Sequence, residues 1–169
     1  PALRDRLDET VTLAIWGETG PVVIAMEEPA KPVTINVRIG SVLPLGTSAI
    51  GRAFAAFMPE GKVHEIVARE RARASEGDAT GYPGADELSE ILAEVHTRRM
   101  ARIRGTIMPG IDALAAPVFD HMGKTIGVIC TFGRAGAFDS RLTGKSAQIL
   151  TEATTDLSRQ FGFAEDRKS

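Results

Sequence analysis

Ala113-Leu-Ala-Ala-Pro-Val-Phe-Asp-His-Met-Gly-Lys-Thr-Ile-Gly-Val-Ile-Cys130 sets two apolar, strand-like runs on either side of the polar turn Asp120-His-Met-Gly123. β-Branched content, alternation and a corner glycine are the marks of a β-hairpin, which should extend over roughly 112–133. Downstream, Leu142, Ile149, Leu150, Ala153, Leu157 and Phe161 fall on one helical stripe, which Asp139 or Ser140 would start. Upstream, Arg98 to Gly110 is basic, breaks the helical period and ends in a turn signal, so it reads as a strand or irregular extended segment.

Further toward the N-terminus, Thr10–Trp16 and Val22–Glu28 are β-rich runs separated by Gly17-Glu-Thr-Gly-Pro21, a first hairpin. Residues 33–39 alternate, with Val33, Ile35, Val37 and Ile39 on one face, and predict a third, half-buried strand. The period then changes. Ala49, Ile50, Ala53, Phe54 and Phe57 have helical spacing behind an N-cap at Thr47 or Ser48, giving a helix to about Pro59. Residues 62–75 read as a short amphipathic helix, Gly77 to Gly84 as a loop, and Leu88, Ile91, Leu92 and Val95 as another helix capped by Asp86. The order is β-β-β, helices, β-β-β, helix. Hairpins at both ends imply an α+β fold with an antiparallel or mixed sheet, covered by helices on at least one face.

The 169 residues suit one domain, 1–169, with 43% hydrophobic and 25% charged residues, the profile of a soluble globular chain. A net charge of −2 argues against a nucleic-acid surface built from clustered Lys and Arg. Arg98, Arg99, Arg102 and Arg104 are the one local basic excess, and without interleaved aromatics they read as a solvated face. The single Cys130 forms no internal disulfide, and no run reaches the roughly 18 apolar residues of a membrane span. A cytoplasmic setting with no membrane contact is the expectation.

Two stretches invite catalytic readings. Gly46-Thr-Ser-Ala-Ile-Gly51-Arg52-Ala53 has the glycine spacing of a phosphate loop, but Arg52 and Ala53 stand where a Lys and a hydroxyl would be needed. The same stretch nearly makes a nucleophile elbow around Ser48, yet Ile50 takes the place of the second glycine. His64, His96 and His121 lie on different elements without metal-ligand spacing, and His121 reads as a solvated turn residue. The residues therefore predict no enzyme, no metal and no cofactor; the rival is a hydrolase using Ser48 or Cys130.

Ala115-Ala-Pro-Val-Phe-Asp120 followed by a glycine, and independently Leu43-Pro-Leu-Gly-Thr-Ser-Ala-Ile-Gly-Arg-Ala-Phe54, resemble the effector-binding domain of the IclR family of bacterial transcription regulators. The resemblance runs from the first hairpin to the final helix. It implies a GAF-like fold: a curved, mainly antiparallel sheet flanked by helices. It also implies a small-molecule effector and a homodimer or homotetramer. DNA would be bound only through a winged helix-turn-helix domain that would precede residue 1.

In the upstream half of the signature this chain has Arg99, Ile103 and Thr106 where the family commonly has Gly, an Asp or Ser, and Glu. The resemblance carries the effector contacts onto Ala49 and Ile50, through backbone N–H groups at the helix start. It carries the acidic position onto Ile103, the thiol or small-residue position onto Ala113, and two serine positions onto Cys130 and Phe132. Ile35, Leu43 and Ile111 become apolar walls. Four positions that elsewhere hydrogen-bond a small polar acid are thus Ile, Ala, Cys and Phe, which predicts an aromatic or largely apolar organic acid as ligand. The competing possibilities are that these residues merely fill the core, or that the chain is an oligomerisation module without a ligand.

Overall fold

The computed structural model describes residues 1–74, 81–105 and 109–165. Five strands form one antiparallel sheet in the order β2-β1-β5-β4-β3: β1 (Thr10–Trp16), β2 (Pro21–Glu27), β3 (Ala101–Arg104), β4 (Ile111–Phe119) and β5 (Thr125–Arg134). The described helices are α1 (Ala2–Leu7), α2 (Ala49–Ala55), α3 (Glu60–Arg73), α4 (Ala85–Arg98) and α5 (Lys145–Gln160).

The hairpin of β4 and β5 lies at the centre of the sheet. Its turn forms because the Asp120 carboxylate accepts from the backbone N–H groups of Met122 and Lys124 at 2.8 and 3.0 Å, while Gly123 takes φ 74°. Pro117, which has no N–H to give, is tolerated in β4 because β3 pairs only with Asp112–Ala115 and has ended before it. Strand alternation then divides the core. Ala115, Val128, Cys130 and Phe132 face α2, together with Ala14, Val23 and Phe54. Leu114 and Ala116 face the other way, onto Ala147 and Leu150 of α5. A third layer, Leu45, Val63, Val67, Leu88 and Leu92, joins α3 and α4 outside α2.

Three expectations are corrected. Residues 33–39 do not form a strand; they run as an irregular strap whose Val33, Ile35 and Val37 pack on the core. The free edge of β2 is taken instead by residues 40–43, through Gly40 N–H to Val23 O, Val23 N–H to Ser41 O and Leu43 N–H to Pro21 O, at 2.7–3.0 Å. Pro29 and Pro32 deprive the approach to the strap of two ladder donors. Helix α4 begins at Gly84 with no side-chain cap, so Asp86 sits in its first turn rather than capping it.

The last helix begins at Lys145, not at Asp139 or Ser140. Asp139 instead closes the preceding turn by accepting from Arg141 and Lys145 N–H, and Ser140 donates to the buried Asp112 at 2.9 Å. Helix α1 was not anticipated from the sequence. The loop expected at 77–84 and the segment 98–110 lie in part outside the described residues, and Thr106 lies wholly outside them.

Candidate functional site

Helix α2 is placed by its lead-in loop. Ser48 is the N-cap, its hydroxyl accepting from Gly51 N–H at 2.8 Å and donating to Pro44 O at 2.6 Å. Thus the Ser48 hydroxyl is committed to the backbone, and it carries no nucleophile's geometry. The loop before it is held from two sides. Glu70 of α3 accepts from Leu45 and Gly46 N–H at 2.8 and 3.2 Å, and the Arg52 guanidinium donates to Gly46 O at 2.9 Å.

Burial pushes the Glu70 carboxyl above its ordinary range, against the two backbone bonds that favour its charge. A folded-state value above the unfolded 4.5 means that the native chain holds its proton more tightly. Glu70 therefore contributes stability that is fully present below 4.5 and is lost as pH rises through its folded value. Glu70→Gln should remove that part of the slope in urea denaturation measured across this window. Glu70→Ala should cost about 1–3 kcal/mol by stranding the Leu45 and Gly46 donors.

Between the first turn of α2 and strands β3, β4 and β5 lies a cavity of about 60 Å³. Eight of the nine residues singled out above line it: Leu43, Ala49, Ile50, Ile103, Ile111, Ala113, Cys130 and Phe132. The ninth, Ile35, does not. It borders an open groove of about 570 Å³ beneath the strap, with Met26 and Val33. Val37, which the sequence reading placed only in a strand, borders both spaces, and Ser48 completes the cavity wall. The side-chain register explains the convergence: Ala113 stands opposite Ile103 on one side and Phe132 on the other, so all three share a face.

The cavity offers no acidic, basic or imidazole side chain, and its one titratable group is the Cys130 thiol. Cys130 is 3% exposed, and burial pushes its thiol up to about 12, which leaves it protonated and unreactive at neutral pH. Among the described residues no three His, Cys, Asp or Glu side chains stand together as metal ligands. His64 lies 3.2 Å from Ser89 Oγ, His96 stacks on Phe57, and His121 is exposed in its turn.

A larger cleft of about 340 Å³ opens on the α5 side, but several of its polar groups are already engaged. Arg99 lies 5.5 and 5.4 Å from the ring centres of Phe119 and Phe163 and pairs with Glu165. Ser158 Oγ accepts from Phe119 N–H and donates to Thr154 O. The small apolar cavity, not this cleft, is the candidate site, since its lining is almost wholly apolar and comes from four separate elements, α2, β3, β4 and β5, together with the segment that leads into α2.

The model of the bacterial transcriptional regulator IclR C-terminal family matches residues 1–159. The crystal structure of Pseudomonas aeruginosa HmgR is similar with a TM-score of 0.82 and 36% identity, over 96% of this chain and 63% of that one. That of Thermotoga maritima IclR gives 0.83 at 23% identity, over 96% and 65%, a likeness of fold. In sequence, the probable transcriptional regulator SauR of Cupriavidus necator is 28% identical over 127 residues, 75% of this chain and 50% of that protein. The chain thus spans about half the length of this curated relative and less than two thirds of each of the two solved structures. No helix among the described residues is long and apolar enough to cross a membrane. With the antiparallel sheet, the helices on both its faces and the match over residues 1–159, the chain belongs to the IclR family as its C-terminal, effector-binding domain of GAF-like fold, a regulator domain and not an enzyme.

Proposed function

We propose that this domain senses a small organic acid with an aromatic or largely apolar body, bound in the cavity between α2 and the sheet. The observation that carries this reading is the convergence of Ile103, Ala113, Cys130 and Phe132 with Ile50 and Leu43 on one apolar space. A small polar acid would meet no charged or amide side chain there. An apolar body would gain roughly 25 cal/mol for each Å² buried. The backbone N–H groups of Ala49 and Ile50, in the first turn of α2, are the polar partners for a carboxylate.

At about 60 Å³ the cavity is smaller than the roughly 150 Å³ that a benzene ring fills. Binding therefore requires Val37 and the strap to move, which joins the cavity to the groove beneath residues 32–39. We read the chain as one domain of a longer regulator, in which a preceding winged helix-turn-helix binds DNA and the effector domains associate as dimers or tetramers. A ligand that favours one strap position over the other would shift the balance of two regulator states by its difference in affinity for them.

Thermal unfolding with a panel of acids tests the reading. Aromatic acids at about 100 times their Kd should stabilise the domain by about 2.7 kcal/mol, a shift of several degrees in Tm. Two- and three-carbon polar acids should give no shift. Preferential stabilisation by the small polar acids, or none by any acid at millimolar concentration, would overturn it.

A further inference from the structure

Thr10 and Thr12 stand on β1 directly opposite Phe132 and Cys130 of β5. Residues opposite one another in an antiparallel pair share a face, with Cβ atoms about 4.5–5.5 Å apart. The two threonines therefore occupy the row next to two side chains that line the apolar cavity. Each is 1% exposed, and neither hydroxyl has a hydrogen-bond partner. The Thr12 hydroxyl lies close enough to Cys130 to favour its thiolate, but not in a geometry that bonds it. Buried hydroxyls without partners are costly and uncommon, so two at adjacent same-face positions of one strand call for an explanation.

The surroundings supply one. Met26, opposite Thr12 on its other side, borders the groove beneath the strap, while Cys130 borders the apolar cavity. Thr12 thus lies in the row between the two spaces that displacement of Val37 would join. Lifting the strap would open the site toward that row, and so toward the Thr10 and Thr12 hydroxyls.

We infer that Thr10 and Thr12 are specificity-determining residues, which select an apolar-bodied acid bearing a hydroxyl or keto oxygen on the part that lies over β1. The assignment rests on the reading of the apolar cavity as the effector site. One to two strand spacings, roughly 5–10 Å, separate β1 from the strands under α2, a distance that a substituted ring spans. A hydroxyl group on the ligand both donates to and accepts from a threonine, so it satisfies a group that otherwise stays unpaired. A plain hydrocarbon ring in the same place leaves it stranded.

Thr131 serves as an internal control. It is also fully buried with an unpartnered hydroxyl, but it stands opposite Val11 and Leu114, on the face turned toward α5. The experiment is calorimetric titration of the 169-residue chain with phenylacetate and with its 2-, 3- and 4-hydroxy derivatives. The wild type should bind at least one hydroxy derivative about tenfold more tightly than phenylacetate, the ratio expected for one net hydrogen bond. Thr12→Val or Thr10→Val should abolish that preference, bringing the ratio of the two affinities to about one. Thr12→Ser should retain it, and Thr131→Val should leave it intact.

Tight binding of phenylacetate with no preference for any hydroxy derivative, or a preference that survives both valine variants, would overturn this inference and leave the proposed site standing. Binding of none of the four acids at millimolar concentration would count against both.

Discussion

Gly51→Ala should destabilise the domain by about 3 kcal/mol or more and abolish ligand binding, the opposite of what the substitution does in an ordinary helix. In an exposed helix interior, alanine in place of glycine is favourable by about 1 kcal/mol. At Gly51 a Cβ would lie 2.0 Å from Pro44 O, 2.6 Å from Leu45 Cα and 2.7 Å from Pro44 C. All three are backbone atoms, so no change of rotamer relieves the clash. Either α2 withdraws from the loop or the loop moves. Pro44 O also receives the Ser48 hydroxyl, and the next two residues give their N–H groups to Glu70. Displacing Pro44 therefore loosens the N-cap, worth about 1 kcal/mol, together with the Glu70 clamp. Because Leu43, Ser48, Ala49 and Ile50 line the cavity from this same loop and helix start, the site goes with it. Urea denaturation and titration with an acid that stabilises the wild type measure both effects. A Gly51→Ala chain as stable as the wild type would show that the close approach of α2 to its lead-in loop is not a feature of the native fold.

The glycine pattern of residues 46–51 was legible in the sequence, but its meaning was not. Read as a string, Gly46 and Gly51 suggest phosphate binding or a nucleophile elbow. Their physical role is close packing, since a Cβ at Gly46 would lie 2.9 Å from the Tyr82 ring and 3.0 Å from Val67, and one at Gly51 would lie closer still to the Pro44 backbone. Only the tertiary arrangement separates these roles. The central hairpin was the opposite case. Alternation and the Asp120 to Gly123 turn act between neighbours in the chain, so local chemistry suffices to place β4 and β5.

Residues 33–39 show where such reasoning stops. Alternation reports that one side of an extended segment is buried, and Val33, Ile35 and Val37 are indeed turned onto the core. It does not report whether a neighbouring backbone is free to pair, and the edge of β2 is occupied by residues 40–43. Ile35 consequently lies over the groove rather than in the cavity, and Val37 takes the position between the two. Eight of the residues to which the family resemblance pointed border one cavity, because helix start, hairpin and sheet order come with the fold. Thr10 and Thr12 were invisible to it: which residues of β1 stand opposite Cys130 and Phe132 is a matter of register between strands more than a hundred residues apart.

Ala113→Val should raise stability by about 1 kcal/mol while weakening effector binding by at least about tenfold. Ala113 sits on β4 between Ile103 and Phe132, with its methyl group on the cavity face. Valine adds two carbons there in a β-branched shape that an interior strand accommodates well. The added carbons enter a space that is now empty and lined by Ile50, Ile111 and Cys130, so they gain burial without displacing a partner. The same carbons occupy the volume that the ring of an aromatic acid needs, and widening the site by moving the strap cannot recover it, because β4 is held by both neighbouring strands. Opposite signs for stability and binding separate this variant from Gly51→Ala, in which both fall together. Denaturation midpoints together with calorimetric titration of the same aromatic acid read the two quantities independently. Undiminished affinity in a stabilised Ala113→Val chain would place the effector elsewhere, whereas a loss of stability would mean that the space beside Ala113 is already filled in the native protein.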